Sequence, residues 1–275
     1  MKLATFYDHV KDIAHQEKIS LTEALQRVRT LGITHVEVSQ NSLLGREDEL
    51  GRELAYVGLG ISTIPSYFDF GRDADVIKQS EPTLEAARYL GADKMLVIPG
   101  FFQEGDSPEG QARQMENMAS CVNRLAEKAA GYGVSLVMEE YDSPLAPFSK
   151  TEGVRFFLDR CPGLSCCFDT GNFRFAAEDE LAAYDVLRGR ISHVHLKDRA
   201  LSPDWGSHKA TAADGQALYP TPVGKGVVKI TELLSLLAQD NYTGLCTIEH
   251  YGVDSMWAAL EGSVAFCLAQ PGAFS

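Results

Sequence analysis

The segment Ile191-Ser-His-Val-His-Leu-Lys-Asp198 (ISHVHLKD) decides the fold. Its first six residues are β-rich. His193 and His195 flank Val194, so in a strand both imidazoles face one side. The run ends in Lys197 and Asp198, a charged pair beside two histidines. The neighbouring segments repeat this design. Upstream stand VSLVMEE (134–140) and LSCCFDTGN (164–172), and downstream stands LCTIEH (245–250). Each is a short apolar run that closes on a carboxylate or an imidazole.

Outward from these four, strand and helix patterns alternate eight times. The expected strands are 3–7, 34–39, 61–65, 94–98, 134–139, 164–169, 191–196 and 245–249. The expected helices are 21–31, 47–59, 80–90, 109–131, 151–160, 178–187, 229–239 and 255–269. Ser20 is an N-cap for the first helix, Glu23 completes a capping box, and Gly32 ends it. Several strands are near-continuous apolar runs, as expected of parallel strands covered by helices on both faces. Eight units in 275 residues give about 34 residues each, a normal repeat for a (β/α)8 barrel. A doubly wound open sheet would carry a Gly-rich phosphate turn after the first strand, and none is present. The reading is an α/β fold, a single-domain (β/α)8 barrel over residues 1–275.

Composition narrows the partners. The formal net charge is -13, which repels phosphate backbones and anionic lipid, so neither nucleic acid nor membrane is an expected partner. There is no apolar run of about 18 residues and no apolar leader in MKLATFYDHVKDIA, so a cytoplasmic protein is expected. The six cysteines form no C-x-x-C pair and are expected to be reduced. A homo-oligomer remains open.

In such a barrel, function gathers at the C-terminal ends of the strands. Four consecutive strands end there in metal-capable groups: Glu139–Glu140, Asp169, His193/His195 and Glu249–His250. Adjacent strands lie about 4.8 Å apart, close enough for inward side chains to share one ion. A mostly oxygen-rich set suits Mn²⁺ or Mg²⁺, with Co²⁺ or Zn²⁺ as alternatives. Spacing alone leaves open which Glu of the pair, and which His, would bind.

The ordered motifs resemble those of the sugar phosphate isomerase/epimerase family, the TIM barrels similar to xylose isomerase. GVSLVMEEYDSPLAPF is similar to its fifth-strand motif, CFDTGN to its sixth, ISHVHLKD to its seventh, TIEH to its eighth and THVEVS to its second. The resemblance covers nearly the whole chain. It implies one divalent ion, Mn²⁺ first, on Glu139, Asp169, His195 and Glu249. It also implies Glu139 and Glu249 as the proton-transferring carboxylates, on two sides of a substrate carbon. Lys197 and Asp198 match the H-x-K-D pattern, with Lys197 placed to polarise a carbonyl or neutralise an enolate. Glu37, Asn172, His193, Asp198 and His208 are the expected substrate contacts.

Two positions depart from the ketose 3-epimerases of the group. Those carry a His three residues after the sixth-strand Asp and an Arg six residues after the metal His, where this chain has Asn172 and Leu201. The expected activity is therefore a metal-dependent isomerase or epimerase of a small sugar, keto-sugar or sugar acid, acting through an enediolate. A lyase, dehydratase or decarboxylase, on the same site is the alternative, and a non-catalytic sugar-binding barrel is the third. The three-zinc endonuclease branch needs more histidines than the seven present. The 199–225 segment is long enough for a lid, with a surface or oligomer contact as the equal alternative, and Phe6, Tyr7, Phe68, Phe101 and Phe102 are candidates for the pocket wall.

Overall fold

The computed structural model describes residues 1–274. The parallel strands are β1 (Lys2–Phe6), β2 (His35–Glu37), β3 (Gly60–Ile61), β4 (Ile64–Tyr67), β5 (Lys94–Ile98), β6 (Ser135–Met138), β7 (Leu164–Asp169) and β8 (Ile191–Leu196). Three short strands follow, β9 (Asp198–Ala200), β10 (Ala210–Thr211) and β11 (Ala217–Thr221), before the last parallel strand, β12 (Leu245–Ile248). The sheet order is β3-β2-β1-β12-β8-β7-β6-β5-β4. Its two ends, β3 and β4, are consecutive pieces of one strand broken at Ser62–Thr63. Ser62 N donates to Val36 O at 2.9 Å, and Val38 N donates to Thr63 O at 3.2 Å, which closes the sheet into a barrel. The single third strand of the sequence reading is thus two segments, each serving a different neighbour.

The barrel forms because its strands are apolar on both faces. Met95, Val97, Val137, Cys167, Val194 and Cys246 are all buried. Helices cover the outside, the longest being Pro108–Ala130, which starts with Ser107 Oγ accepting from Gly110 N. The Leu21–Thr30 helix is capped by Ser20, whose Oγ accepts from Glu23 N at 3.1 Å. The reciprocal half of the expected capping box is not made, because the Glu23 carboxylate turns to Arg27 instead. A helix absent from the sequence reading, Tyr7–Glu17, begins directly after β1. Tyr7 therefore opens a helix rather than closing a strand.

Register sets the site. Asp169 of β7 pairs with His195 of β8, and Thr247 of β12 pairs with the same His195. The polar ends of these strands therefore stand level at one mouth of the barrel. The 199–225 segment forms a small antiparallel sheet in the order β10-β11-β9 rather than an irregular loop. No helix among the described residues is long and apolar enough to cross a membrane. All six cysteines are buried and unpaired.

Candidate metal centre

Glu139 follows β6, Asp169 ends β7, His195 sits one residue before the end of β8, and Glu249 follows β12. One ligand atom from each lies within 4.8 Å of the others, and all four residues are buried. His195 Nδ1 is 2.8 Å from Glu139 Oε2, 3.2 Å from Glu249 Oε2 and 4.0 Å from Asp169 Oδ2. These approaches lack hydrogen-bond geometry. Glu139 Oε2, Asp169 Oδ2 and His195 Nδ1 are buried without a hydrogen-bond partner. Burying polar atoms unpaired costs stability, so convergence of three such atoms on one point fits a cation.

Two of the four are held from behind. Glu37 is buried at the barrel centre, and its Oε1 accepts from His195 Nε2 at 3.1 Å, His193 Nε2 at 2.6 Å and Thr247 Oγ1 at 2.6 Å. Donation from Nε2 leaves His195 Nδ1 free to face the carboxylates, the arrangement in which a metal-binding imidazole is fixed by an outer carboxylate. Asp169 Oδ1 accepts from Gly171 N at 2.8 Å and Asn172 N at 3.0 Å, which aims Oδ2 at the centre. Gly171 is required there, since a Cβ would lie 2.7 Å from Lys197 O. A second grouping, Cys167 with His193 and His195, shares the same imidazoles. It is a poor cation site, because both Nε2 atoms are committed to Glu37 and burial pushes the Cys167 thiol far above its ordinary value.

The protonation balance points the same way. Burial pushes the Asp169 carboxyl up to about 7, against the pull of Lys197, and burial also raises Glu139. Burial would raise Glu249 too, but Lys197 and His195 outweigh it and hold Glu249 below the usual carboxylate range. Burial would lower Lys197, but Asp142, Glu249 and Asp169 more than offset that, so its ammonium stays charged. These carboxylates therefore favour the charged form of Lys197. Its Nζ lies 2.6 Å from Glu249 Oε1, 3.4 Å from Asp142 Oδ2 and 3.8 Å from Asp169 Oδ2. Three carboxylates crowded this closely favour a divalent cation over three separate ionisations.

The cluster opens into a cavity of about 640 Å³ at the C-terminal ends of the strands. Glu139, Glu249, Lys197, Asn172 and His208 line it. Glu37 and His193 do not: they lie below the cluster and act on His195. Asp198 does not reach the cavity either. Its carboxylate accepts from the backbone N–H groups of Arg199, Gly224, Gly226 and Val228, and so anchors the 199–225 segment. Among the aromatics, Phe6 lines the wall, but Tyr7 donates to Glu53 on the outer side, and Phe68 stacks on Phe70 in the core with centroids 4.5 Å apart. Phe101 packs behind Tyr141, and neither it nor Phe102 lines the cavity. Tyr67, Tyr141 and Tyr251 line it instead, together with Asp142 and Arg199, which the sequence reading did not select. A groove of about 740 Å³ beside the Pro108–Ala130 helix lies outside the barrel and holds none of the four ligands.

The model of the xylose isomerase-like TIM barrel family matches residues 25–265. This chain belongs to that family. Among curated relatives, the xylose isomerase-like barrel is 29% identical over 150 residues to inosose dehydratase of Mesomycoplasma hyopneumoniae, covering 52% of this chain and 49% of that protein. The chain thus matches about half the length of that relative. Among solved structures, it is similar to a probable 3-DHS dehydratase of petrobactin synthesis from Bacillus anthracis. That match has a TM-score of 0.76 and 17% identity, covering 98% of this chain and 100% of the other. It is similar also to 3-keto-D-glucoside 4-epimerase from E. coli, with a TM-score of 0.72 and 18% identity, covering 97% and 98%.

Proposed function

We propose that this xylose isomerase-like barrel is a divalent-metal enzyme that removes a proton beside the carbonyl of a small polyhydroxylated ketone. The observation that carries the reading is the convergence of three unpartnered buried atoms, Glu139 Oε2, Asp169 Oδ2 and His195 Nδ1, beside Glu249 at the floor of the cavity. Those four residues would hold the ion, with Mn²⁺ first and Mg²⁺, Co²⁺ and Zn²⁺ as alternatives. When bound, the ion supplies a Lewis acid that polarises the substrate carbonyl.

The protein's own groups divide the remaining work. β6 and β12 flank β7 and β8 in the sheet, so Glu139 and Glu249 stand on two sides of the ion site. One carboxylate oxygen can take the proton from the carbon while the other delivers a proton across the substrate. Lys197 Nζ, held charged, offsets the negative charge that grows on the carbonyl oxygen. Tyr67 and Tyr141 present hydroxyls at the wall, 3.3 Å apart.

The common first step has two outcomes. Loss of a neighbouring hydroxyl as water makes the enzyme a dehydratase, and the similarity to inosose dehydratase favours this outcome. Return of the proton makes it an isomerase or epimerase, which the placement of Glu139 and Glu249 on two sides of the ion site also serves. Six unpaired cysteines suit a reducing compartment, so we place the enzyme in the cytoplasm.

The test is to incubate the Mn²⁺-loaded protein with keto-sugars, keto-cyclitols and keto-acids in deuterated water and follow each by NMR. Deuterium beside the carbonyl of recovered sugar indicates epimerisation, and an unsaturated product indicates dehydration. A ligand that binds without either change would leave only a sugar-binding barrel.

A further inference from the structure

The cavity wall carries more positive charge than a single metal centre uses. Lys197 and Arg199 reach it from either side of Asp198, and each side chain is only 9% exposed. In an anion-binding pocket two such groups would face the ligand. Here Arg199 faces Asp142, whose Oδ2 accepts from Arg199 Nη2 at 2.6 Å, while Lys197 Nζ stands between Glu249 Oε1 at 2.6 Å and Asp142 Oδ2 at 3.4 Å. The Asp142 side chain is 30% exposed, so it stands on the solvent side of both cations. Arg199 Nη2 also reaches Asn172 Oδ1 at 3.4 Å, and Arg199 Nε is buried without a partner.

Glu139, Asp142, Asp169 and Glu249 supply four negative charges, against which stand Lys197, Arg199 and the two charges of a divalent ion, and the Glu37 carboxylate beneath His195 adds a further negative charge. At the rim, Asp8 is paired with Lys11 at 2.5 Å, and His208 also lines the cavity. With the ion bound, no positive charge is left over for the ligand. An anionic ligand would have to displace Asp142 from charge-assisted contacts or be buried unpaired, and both are costly.

We propose that Asp142 is a specificity residue. By occupying Lys197 and Arg199 it makes the site take an uncharged polyhydroxylated carbonyl compound and reject the carboxylated or phosphorylated counterpart. The inference rests on the metal-dependent reading of the site given above. Ligand hydroxyls still find the Tyr67 and Tyr141 hydroxyls, neither of which needs a charged partner.

Binding, rather than turnover, tests this. D-fructose and D-fructose 6-phosphate are titrated calorimetrically into Mn²⁺-loaded wild type, Asp142→Asn and Asp142→Ser, with Mn²⁺ content and circular dichroism measured on the same samples. Wild type should bind the neutral sugar at least tenfold more tightly than the phosphate. Either variant should raise affinity for the phosphate relative to that for fructose at least tenfold. Adding Arg199→Gln to Asp142→Asn should remove the gain. A wild type without preference for the neutral sugar, or folded variants that show no gain for the phosphate, would overturn the role of Asp142. Protein that takes up no Mn²⁺ would overturn the metal reading and this inference with it, whereas full Mn²⁺ uptake with unchanged charge preference would overturn the inference alone.

Discussion

Glu37 touches neither the cavity nor any proposed ligand atom, yet three side chains donate to its Oε1. Its carboxylate is held well below its ordinary range, because His195 and His193 outweigh the opposing effect of burial. Glu37→Gln keeps the shape but removes the charge that selects the His195 tautomer. Metal affinity should fall by about 10- to 100-fold, the usual effect of losing an outer carboxylate, with the fold retained; calorimetric titration with Mn²⁺ checks this, and unchanged affinity would refute the role. His9 gives a pH effect. It is buried, burial pulls it down to about 4, and its Nε2 must be unprotonated to accept from His250 N at 2.8 Å. The unfolded chain therefore takes up a proton that the folded chain refuses. The His9 contribution is intact above about pH 6.5 and is lost as pH falls toward 4, at up to about 1.4 kcal/mol per pH unit. Urea unfolding at several pH values should show a shallower loss for His9→Gln than for wild type, and equal slopes would contradict the assignment. The four strand ends are legible in the sequence because each apolar run closes on polar residues, whereas the choice of Glu139 over Glu140 and of His195 over His193 rests on the family resemblance. Asp142 and Arg199 are not legible in that way. Asp142 lies in the irregular stretch after β6, and only the folded geometry brings Arg199 against it.

The helix Tyr7–Glu17 shows why one element escapes a reading based on caps. Its N-cap is Phe6, which offers no side-chain acceptor, so strand passes to helix with no Ser, Thr, Asp or Asn to mark the change. The strands β10 and β11 escape for another reason. They are two and five residues long, too short for an alternating pattern to stand out. The helices at 80–90 and 151–160, by contrast, fall where the sequence places them, since strong apolar periodicity marks both. The 199–225 segment is also held more tightly than a free lid. Trp205 O accepts from Asp254 N at 2.8 Å, and a Cβ on Gly206 would meet Gly252 O at 2.1 Å. Gly206→Val must therefore push this segment off the loop after β12 and carry His208 away from the cavity. Sugar affinity should drop several-fold while Mn²⁺ affinity holds, a split that calorimetry reads directly. Equal loss of both would mean that the segment supports the metal centre itself.

At the scale of the molecule, the barrel brings four separate strand ends to one point, and the crowding of anions there is a cost to the metal-free fold. An ion that binds only the folded state stabilises it by RT ln(1 + [L]/Kd), about 2.7 kcal/mol at a hundredfold excess over Kd. Thermal unfolding should therefore shift upward with Mn²⁺ and return on chelation, and a melting point indifferent to both would count against the centre. The family and the barrel are legible across almost the whole chain, because apolar strands and the order of their polar ends survive in the sequence. The reaction is less legible, since proton return and water loss share the same ion and the same carboxylates. The most direct test of the account is the stoichiometry of Mn²⁺ binding, read by electron paramagnetic resonance on wild type and Asp169→Asn. The account predicts one tightly held ion per chain, with affinity lowered at least a hundredfold in the variant. No tight ion in wild type, or one held equally well by folded Asp169→Asn, would contradict it.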